Sequence, residues 1–144
     1  MFSAVSHWIS RADIAIFAAA VADYTPSVVV SQKIKKADEM LTLELVRTKD
    51  ILGSARTEFS FKGVLVGFAA ETENVEENAR KKLAKKGCDL VVANDVSKPG
   101  MGFDSDRNEV TMVFPDRIQM LPANDKIQLA DQLAAEILRL CIAS

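Results

Sequence analysis

The stretch FAAAVADYTPSVVVSQKIKK, residues 17–36, decides how this chain is read. The apolar run that leads into it, Ile14 to Ala20, has the length and composition of a buried parallel strand. It releases into Ala22, Asp23 and Tyr24, crosses Pro26, and closes on Lys33, Lys35 and Lys36. A strand that hands over to a carboxylate and then to clustered cations suits an anionic ligand, because open α/β sheets bind ligands at the carboxyl ends of their strands. A plain strand followed by a solvated lysine face has the same local pattern, so the rest of the chain has to choose between the two.

Working outward, two further apolar runs read as core strands: Val64 to Ala70, preceded by Lys62-Gly63, and Asp89 to Ala93, which ends in Asn94 and Asp95. Gly67 removes a side chain from the first of these and lets a ligand or another backbone come close. Met40 to Val46 alternates Met40, Thr42, Glu44 and Val46 with three leucines, the period of a strand with one dry face. Lys49-Asp50-Ile51-Leu52 opens a short helix to about Glu58. Glu109 to Phe114 and Ile118 to Leu121 flank Pro115-Asp116-Arg117 as a hairpin. Between Ser97 and Asn108 lies a glycine-rich loop, long enough to be functional. Phe2 to Ser10 and the segment after Asn124 read as amphipathic helices, the second with Ile127, Ala130, Ala134, Ile137 and Cys141 on one stripe.

The helix from Thr72 to Gly87 carries the sharpest charge argument. Thr72 can cap it, Glu73, Glu76 and Glu77 favour its positive end, and Gly87 suits its stop. Glu76 stands four residues before Arg80, and Glu77 four before Lys81. Lys82 and Lys86 have no acid three or four residues upstream and repel one another, unless an anion lies between them.

Composition narrows the function classes. The chain has 144 residues, 49% hydrophobic and 26% charged, enough for one globular domain with a real core. A net charge of −2 argues against a general nucleic-acid surface. No apolar run approaches the ~20 residues of a membrane span, and no leader pattern is present. Cys88 and Cys141 sit in apolar segments and read as reduced cysteines of a cytoplasmic protein. His7, the single histidine, reads as a structural residue.

AAAVADY with KIKK ten residues after the aspartate, then GFAAET, then ANDVS with GMGFDSDRN, resembles phosphopantothenate–cysteine ligase. This coenzyme A enzyme is commonly fused in bacteria to a flavin-dependent phosphopantothenoylcysteine decarboxylase. The four motifs span about Phe17 to Val113. The resemblance implies a three-layer, Rossmann-like α/β fold with a mainly parallel sheet, extra strands and a hairpin serving a homodimer. It also implies CTP, with Mg2+, as the activating substrate beside 4′-phosphopantothenate and cysteine. FMN would enter only with a fused decarboxylase domain.

Carried over residue by residue, the resemblance sets the nucleotide against Ala18, Ala19 and Asp23. Lys33 becomes the catalytic lysine on the phosphates, where it would stabilise the charge that grows as pyrophosphate leaves. Lys49, Asp50, Ile51 and Leu52 supply backbone contacts, although the family has a proline where this chain has Lys49. Phe68 packs on the base or ribose, Lys82 and Lys86 complete the phosphate cradle, and Asn94 and Asp95 shape the pocket. No protein metal ligand is implied.

Family members begin with a glycine-rich strand-turn-helix and an Asn/Ser-rich loop that handles the acyl intermediate. The expectation is therefore that residues 1–144 form a single domain equivalent to the carboxyl-terminal two-thirds of the ligase domain, retaining the nucleotide site but inactive alone. Two other readings stay open: a non-catalytic nucleotide-binding or dimerisation fragment, and a dinucleotide-binding oxidoreductase, which the lack of a G-x-G-x-x-G turn disfavours.

Overall fold

A computed structural model describes residues 1–34, 40–98 and 105–143. It divides into two compact units, one formed by Met1–Ala19 with Ile51–Ser144 and the other by Ala20–Asp50.

The first unit is built on a five-stranded sheet. Its strands are β1 (Ile14–Phe17), β4 (Val64–Glu71), β5 (Leu90–Asp95), β6 (Arg107–Val113) and β7 (Ile118–Asp125), adjacent in that order. β1, β4 and β5 pair in parallel, whereas β6 runs antiparallel to both β5 and β7. Four of the five strands therefore point the same way, and the carboxyl ends of β1, β4, β5 and β7 share one edge.

Helices cover both faces. On one side α1 (Phe2–Trp8), α2 (Ile51–Thr57) and α3 (Val75–Lys86) bring Val5, Ala55 and Ala79 against Leu65, Ala69, Val91 and Ala93. On the other, α4 (Lys126–Ala143) lays Leu129, Leu133 and Ile137 on Val64, Val66, Leu90, Val92 and Met112. The strict alternation of β4 and β5 between these two cores is why both strands read as continuous apolar runs. Gly63 is fixed by a close approach: a Cβ there would stand 2.1 Å from the Asp13 carbonyl oxygen. That oxygen accepts the Val64 N–H at 2.8 Å, which holds β1 and β4 in register.

Three expectations change. β1 stops at Phe17 and lies at the sheet edge rather than in its middle, so Ile16 is 52% exposed. The hairpin is not set apart from the sheet: β6 and β7 extend it, and Met112, Val113 and Phe114 are fully buried between α3 and α4. In α4, Ile127, Ala130 and Ala134 are exposed and Leu129 is buried, because the stripe that packs on the sheet runs through Leu129, Leu133 and Ile137.

The second unit carries a two-stranded antiparallel ribbon, β2 (Tyr24–Pro26) with β3 (Leu45–Arg47). Only the end of the alternating Met40–Val46 stretch is a strand. Met40, Leu41, Leu43, Leu45 and Val46 are all exposed, so the anticipated dry face is not covered within this chain.

Candidate functional site

The carboxyl edge of the sheet holds some of the residues singled out from sequence. Ala18 and Ala19 follow β1 and are exposed. Phe68 is half-buried in β4, and Asn94 and Asp95 end β5. The β4–β5 register sets Ala70 opposite Asn94 and Glu71 opposite Asp95. Alternation decides which face each one uses. The Phe68 ring joins the core under α4, whereas Ala69 points to the α2/α3 side.

Lys82 approaches the same strand from the opposite face. Its Nζ donates to the Phe68 carbonyl oxygen at 2.6 Å. Helical side chains lean toward the amino end of their helix, and this lean lets a residue late in α3 reach the middle of β4. Lys82 and Lys86 are half-buried; Lys81 and Lys85 are exposed. Lys81 pairs with Glu77 at 2.7 Å, and that bond holds the Glu77 carboxyl below its ordinary range. For Lys81 and Lys82 the pairing expected from helix spacing agrees with this division; Lys85 also lacks an upstream acid and is exposed.

The edge is shaped by its own hydrogen bonds. Asp95 Oδ1 accepts from the Ser97 hydroxyl at 2.6 Å and from the Ser97 N–H at 3.0 Å, which lowers the Asp95 pKa and closes a tight turn after β5. Lys98 next to it is paired with Glu109. Asn94 Oδ1 is buried and has no hydrogen-bond partner. Asn78 Nδ2 donates to Glu71 Oε2 at 2.9 Å and to the Glu73 carbonyl at 3.1 Å, tying the entry of α3 to the end of β4. Sequence reading missed Asn78, although its position one turn before Lys82 set it on the sheet-facing side. It also assigned the cap to Thr72, but the helix starts from Asn74, whose φ of 48° is left-handed and whose side chain caps nothing.

Other assignments resolve into packing. A Cβ on Gly67 would meet Leu52 Cδ2 at 2.9 Å and Cys88 Sγ at 3.4 Å, so the gap in that strand is filled by Leu52 rather than by a ligand. Ile51 is buried, which leaves its backbone, not its side chain, to meet a ligand. Burial pushes the Cys88 thiol up to about 11, which removes it as a nucleophile at neutral pH. At the amino edge, Arg56 donates to the carbonyls of Phe61, Gly63 and Gly87 and pairs with Asp89 at 2.7 Å.

Asp23, Lys33, Lys49 and Asp50 belong to the second unit. The carbonyl of Asp23 accepts the Thr48 N–H at 2.9 Å, and Thr48 Oγ1 donates to the Ala22 carbonyl at 2.6 Å. This closes the loop around β2 and β3 and leaves the Asp23 carboxylate outward, since the residue is exposed. Lys33 is exposed as well; Lys35 and Lys36 lie outside the described residues.

Residues 1–140 match the model of the DNA/pantothenate metabolism flavoprotein C-terminal domain. The chain belongs to that family. It is 47% identical over 138 residues to the coenzyme A biosynthesis bifunctional protein CoaBC of Bacillus subtilis, covering 95% of this chain and 34% of the relative. Against CoaBC of Escherichia coli it is 42% identical over 141 residues, with 95% and 34% covered. A solved C-terminal domain of CoaBC superposes with a TM-score of 0.77 at 35% identity, covering 99% of this chain and 62% of that one. The DNA/pantothenate metabolism flavoprotein from Streptococcus pneumoniae shares the fold, with a TM-score of 0.78 at 23% identity. The chain thus spans about a third of the length of the CoaBC relatives. Among the described residues, no group of three or more His, Cys, Asp or Glu side chains is placed to hold a metal ion, and no helix is long and apolar enough to cross a membrane.

Proposed function

We propose that this chain is the carboxyl-terminal part of a CTP-dependent phosphopantothenate–cysteine ligase of coenzyme A biosynthesis, working in the cytoplasm, with residues 1–144 serving as one functional domain. Family membership over nearly the whole chain supports the ligase class. The observation that carries the nucleotide reading is Lys82: it is half-buried, faces the sheet, and is held at Phe68 in the middle of β4, on the way to the carboxyl edge where α/β sheets receive ligands.

In the reaction, a carboxylate oxygen of 4′-phosphopantothenate attacks the α-phosphorus of CTP and pyrophosphate leaves with its electron pair. The amine of cysteine then attacks the acyl carbon of the acyl-cytidylate, releasing CMP and a proton and forming the amide. A carboxylate is a poor acyl donor and its nucleotidyl ester a good one, so activation accounts for the nucleotide. The lysines of this chain supply point charges for the phosphates, Lys82 and Lys86 from α3 and Lys33 as the catalytic cation beside the departing pyrophosphate. Magnesium would come with the triphosphate and would shield its charge; among the described residues no group of three or more His, Cys, Asp or Glu side chains is placed to hold it. Asp23, Ala18, Ala19 and the backbone from Lys49 to Leu52 bind the nucleoside. Flavin belongs to the decarboxylase partner to which such domains are fused.

A homodimer is the second part of the proposal. The exposed apolar side chains around β2 and β3 need cover, and a two-fold interface supplies it. Calorimetric titration of the chain with Mg–CTP tests the nucleotide assignment; the expected result is binding that weakens when Lys82 is removed.

A further inference from the structure

A cavity of about 390 Å3 opens at the amino edge of the sheet. That volume lies within the ~300–1,000 Å3 of small-molecule sites. Three elements wall it: the turn into β1 with Ser10 and Asp13, the loop from α2 to β4 with Phe59, Ser60 and Lys62, and the last turn of α4 with Cys141. From Val64 at the cavity, β4 runs to Glu71 at the opposite edge, a span of roughly 23 Å at ~3.3 Å per residue. The cavity is therefore separate from the edge that the nucleotide reading uses.

Its loop wall is held in place from below. The Phe61 N–H donates to the Ala55 carbonyl at 2.9 Å, and Arg56 Nη1 donates to the carbonyls of Phe61 and Gly63 at 2.8 and 2.9 Å. Beside them Ser60 keeps a left-handed backbone, φ 53°, which serine rarely adopts and which only well-fixed surroundings maintain. The facing wall is tied to this loop through the Asp13 carbonyl, which accepts the Val64 N–H at 2.8 Å. A ligand would find these walls already ordered.

The charges restrict what the cavity takes. Asp13 and Lys62 both line it, yet among the described residues neither side chain has a hydrogen bond or ion pair, with the other or with anything else. An anion alone would meet the Asp13 carboxylate, and an amine alone would meet the Lys62 ammonium. A zwitterion satisfies both, each of its charges making a charge-assisted hydrogen bond to the opposite one. Phe59 and Cys141 leave the rest of the lining largely apolar, which suits a hydrocarbon side chain. We propose that this cavity is a binding site for a free α-amino acid with an apolar side chain, its ammonium on Asp13 and its carboxylate on Lys62. The site goes beyond the ligase reading and does not depend on it.

The probe is L-leucine, titrated calorimetrically into the full chain beside isoamylamine and isocaproate, which lack its carboxylate and its amine respectively. Leucine should bind saturably, and each analogue at least tenfold more weakly. Asp13→Asn should weaken leucine about tenfold and leave isocaproate no weaker; Lys62→Met should weaken leucine about tenfold and leave isoamylamine no weaker. Both side chains are exposed and unpaired among the described residues, so the two variants should melt with the parent. Saturating Mg–CTP should leave leucine binding unchanged. No leucine binding, leucine binding indifferent to both variants, or analogues that bind as tightly as leucine would overturn the proposal and leave the nucleotide reading standing. Displacement of leucine by Mg–CTP overturns it too, because it places the amino acid at the carboxyl edge. Leucine binding as expected in a chain that does not bind CTP would remove the nucleotide reading and keep this site.

Discussion

Lys82 Nζ lies 2.6 Å from the Phe68 carbonyl oxygen, while its sequence neighbour Lys81 lies 2.7 Å from Glu77 on the outer side of the same helix. Adjacent lysines therefore have opposite occupations, one directed at the sheet and one at solvent.

Lys82→Ala should weaken triphosphate binding by ~1–3 kcal/mol, the range for a charge-assisted hydrogen bond. Lys81→Ala should leave binding unchanged. Parallel calorimetric titrations measure both, and equal effects at the two positions would reduce the cluster to a solvated face.

Arg56 tests the opposite edge. It bridges three carbonyls and Asp89 at the amino ends of β4 and β5, where Asp89 Oδ2 also accepts the Leu65 N–H at 2.7 Å. The pair is partly exposed, with side chains 24% and 41% accessible, which screens its attraction. Arg56→Met should cost about 2 kcal/mol in urea unfolding, from loss of charged hydrogen bonds, without altering CTP affinity. A matching loss of CTP affinity in the folded variant would move the ligand to the amino edge.

How much of this was legible in the sequence depends on the kind of signal. β4, β5 and α3 were readable because burial on both faces writes a continuous apolar run and because Gly87, with φ of 63°, stops the helix where expected. The edge status of β1 was not, since four apolar residues say nothing about which side has a neighbour. The hairpin's union with the sheet was equally silent: pairing of Val91 with Val113 joins residues far apart in sequence. In the site, the contrast between Lys81 and Lys82 followed from i, i+4 spacing. The acceptor for Lys82 did not, because a backbone carbonyl leaves no mark on residue identity. Asn94 was visible as a strand-end residue, but its unsatisfied oxygen is a property of packing alone.

Cys88 gives a pH prediction. Burial, the largest cause, raises its thiol from 9.0 to about 11, so the folded chain holds a proton that the unfolded chain releases. Its contribution to stability is intact below pH 9 and is lost as pH rises toward 11. Chemical unfolding across that window should show a steeper decline in the parent than in Cys88→Ala. Identical slopes would place the titrating group elsewhere.

The apolar exposure of Met40, Leu41 and Leu43 predicts assembly. Sedimentation at micromolar concentration should give a dimer, and Leu43→Lys a monomer with unchanged circular dichroism. A monomeric parent would contradict the two-fold interface.

The central claim is that this chain binds CTP through its lysines, and one measurement reaches it directly. Mg–CTP and NAD+ are titrated calorimetrically into the parent, Lys33→Ala and Lys82→Ala. The expected result is saturable CTP binding by the parent, a loss of ~1–3 kcal/mol in each variant, and no binding of NAD+. Binding of NAD+ in preference to CTP, or CTP affinity indifferent to both lysines, would contradict the account.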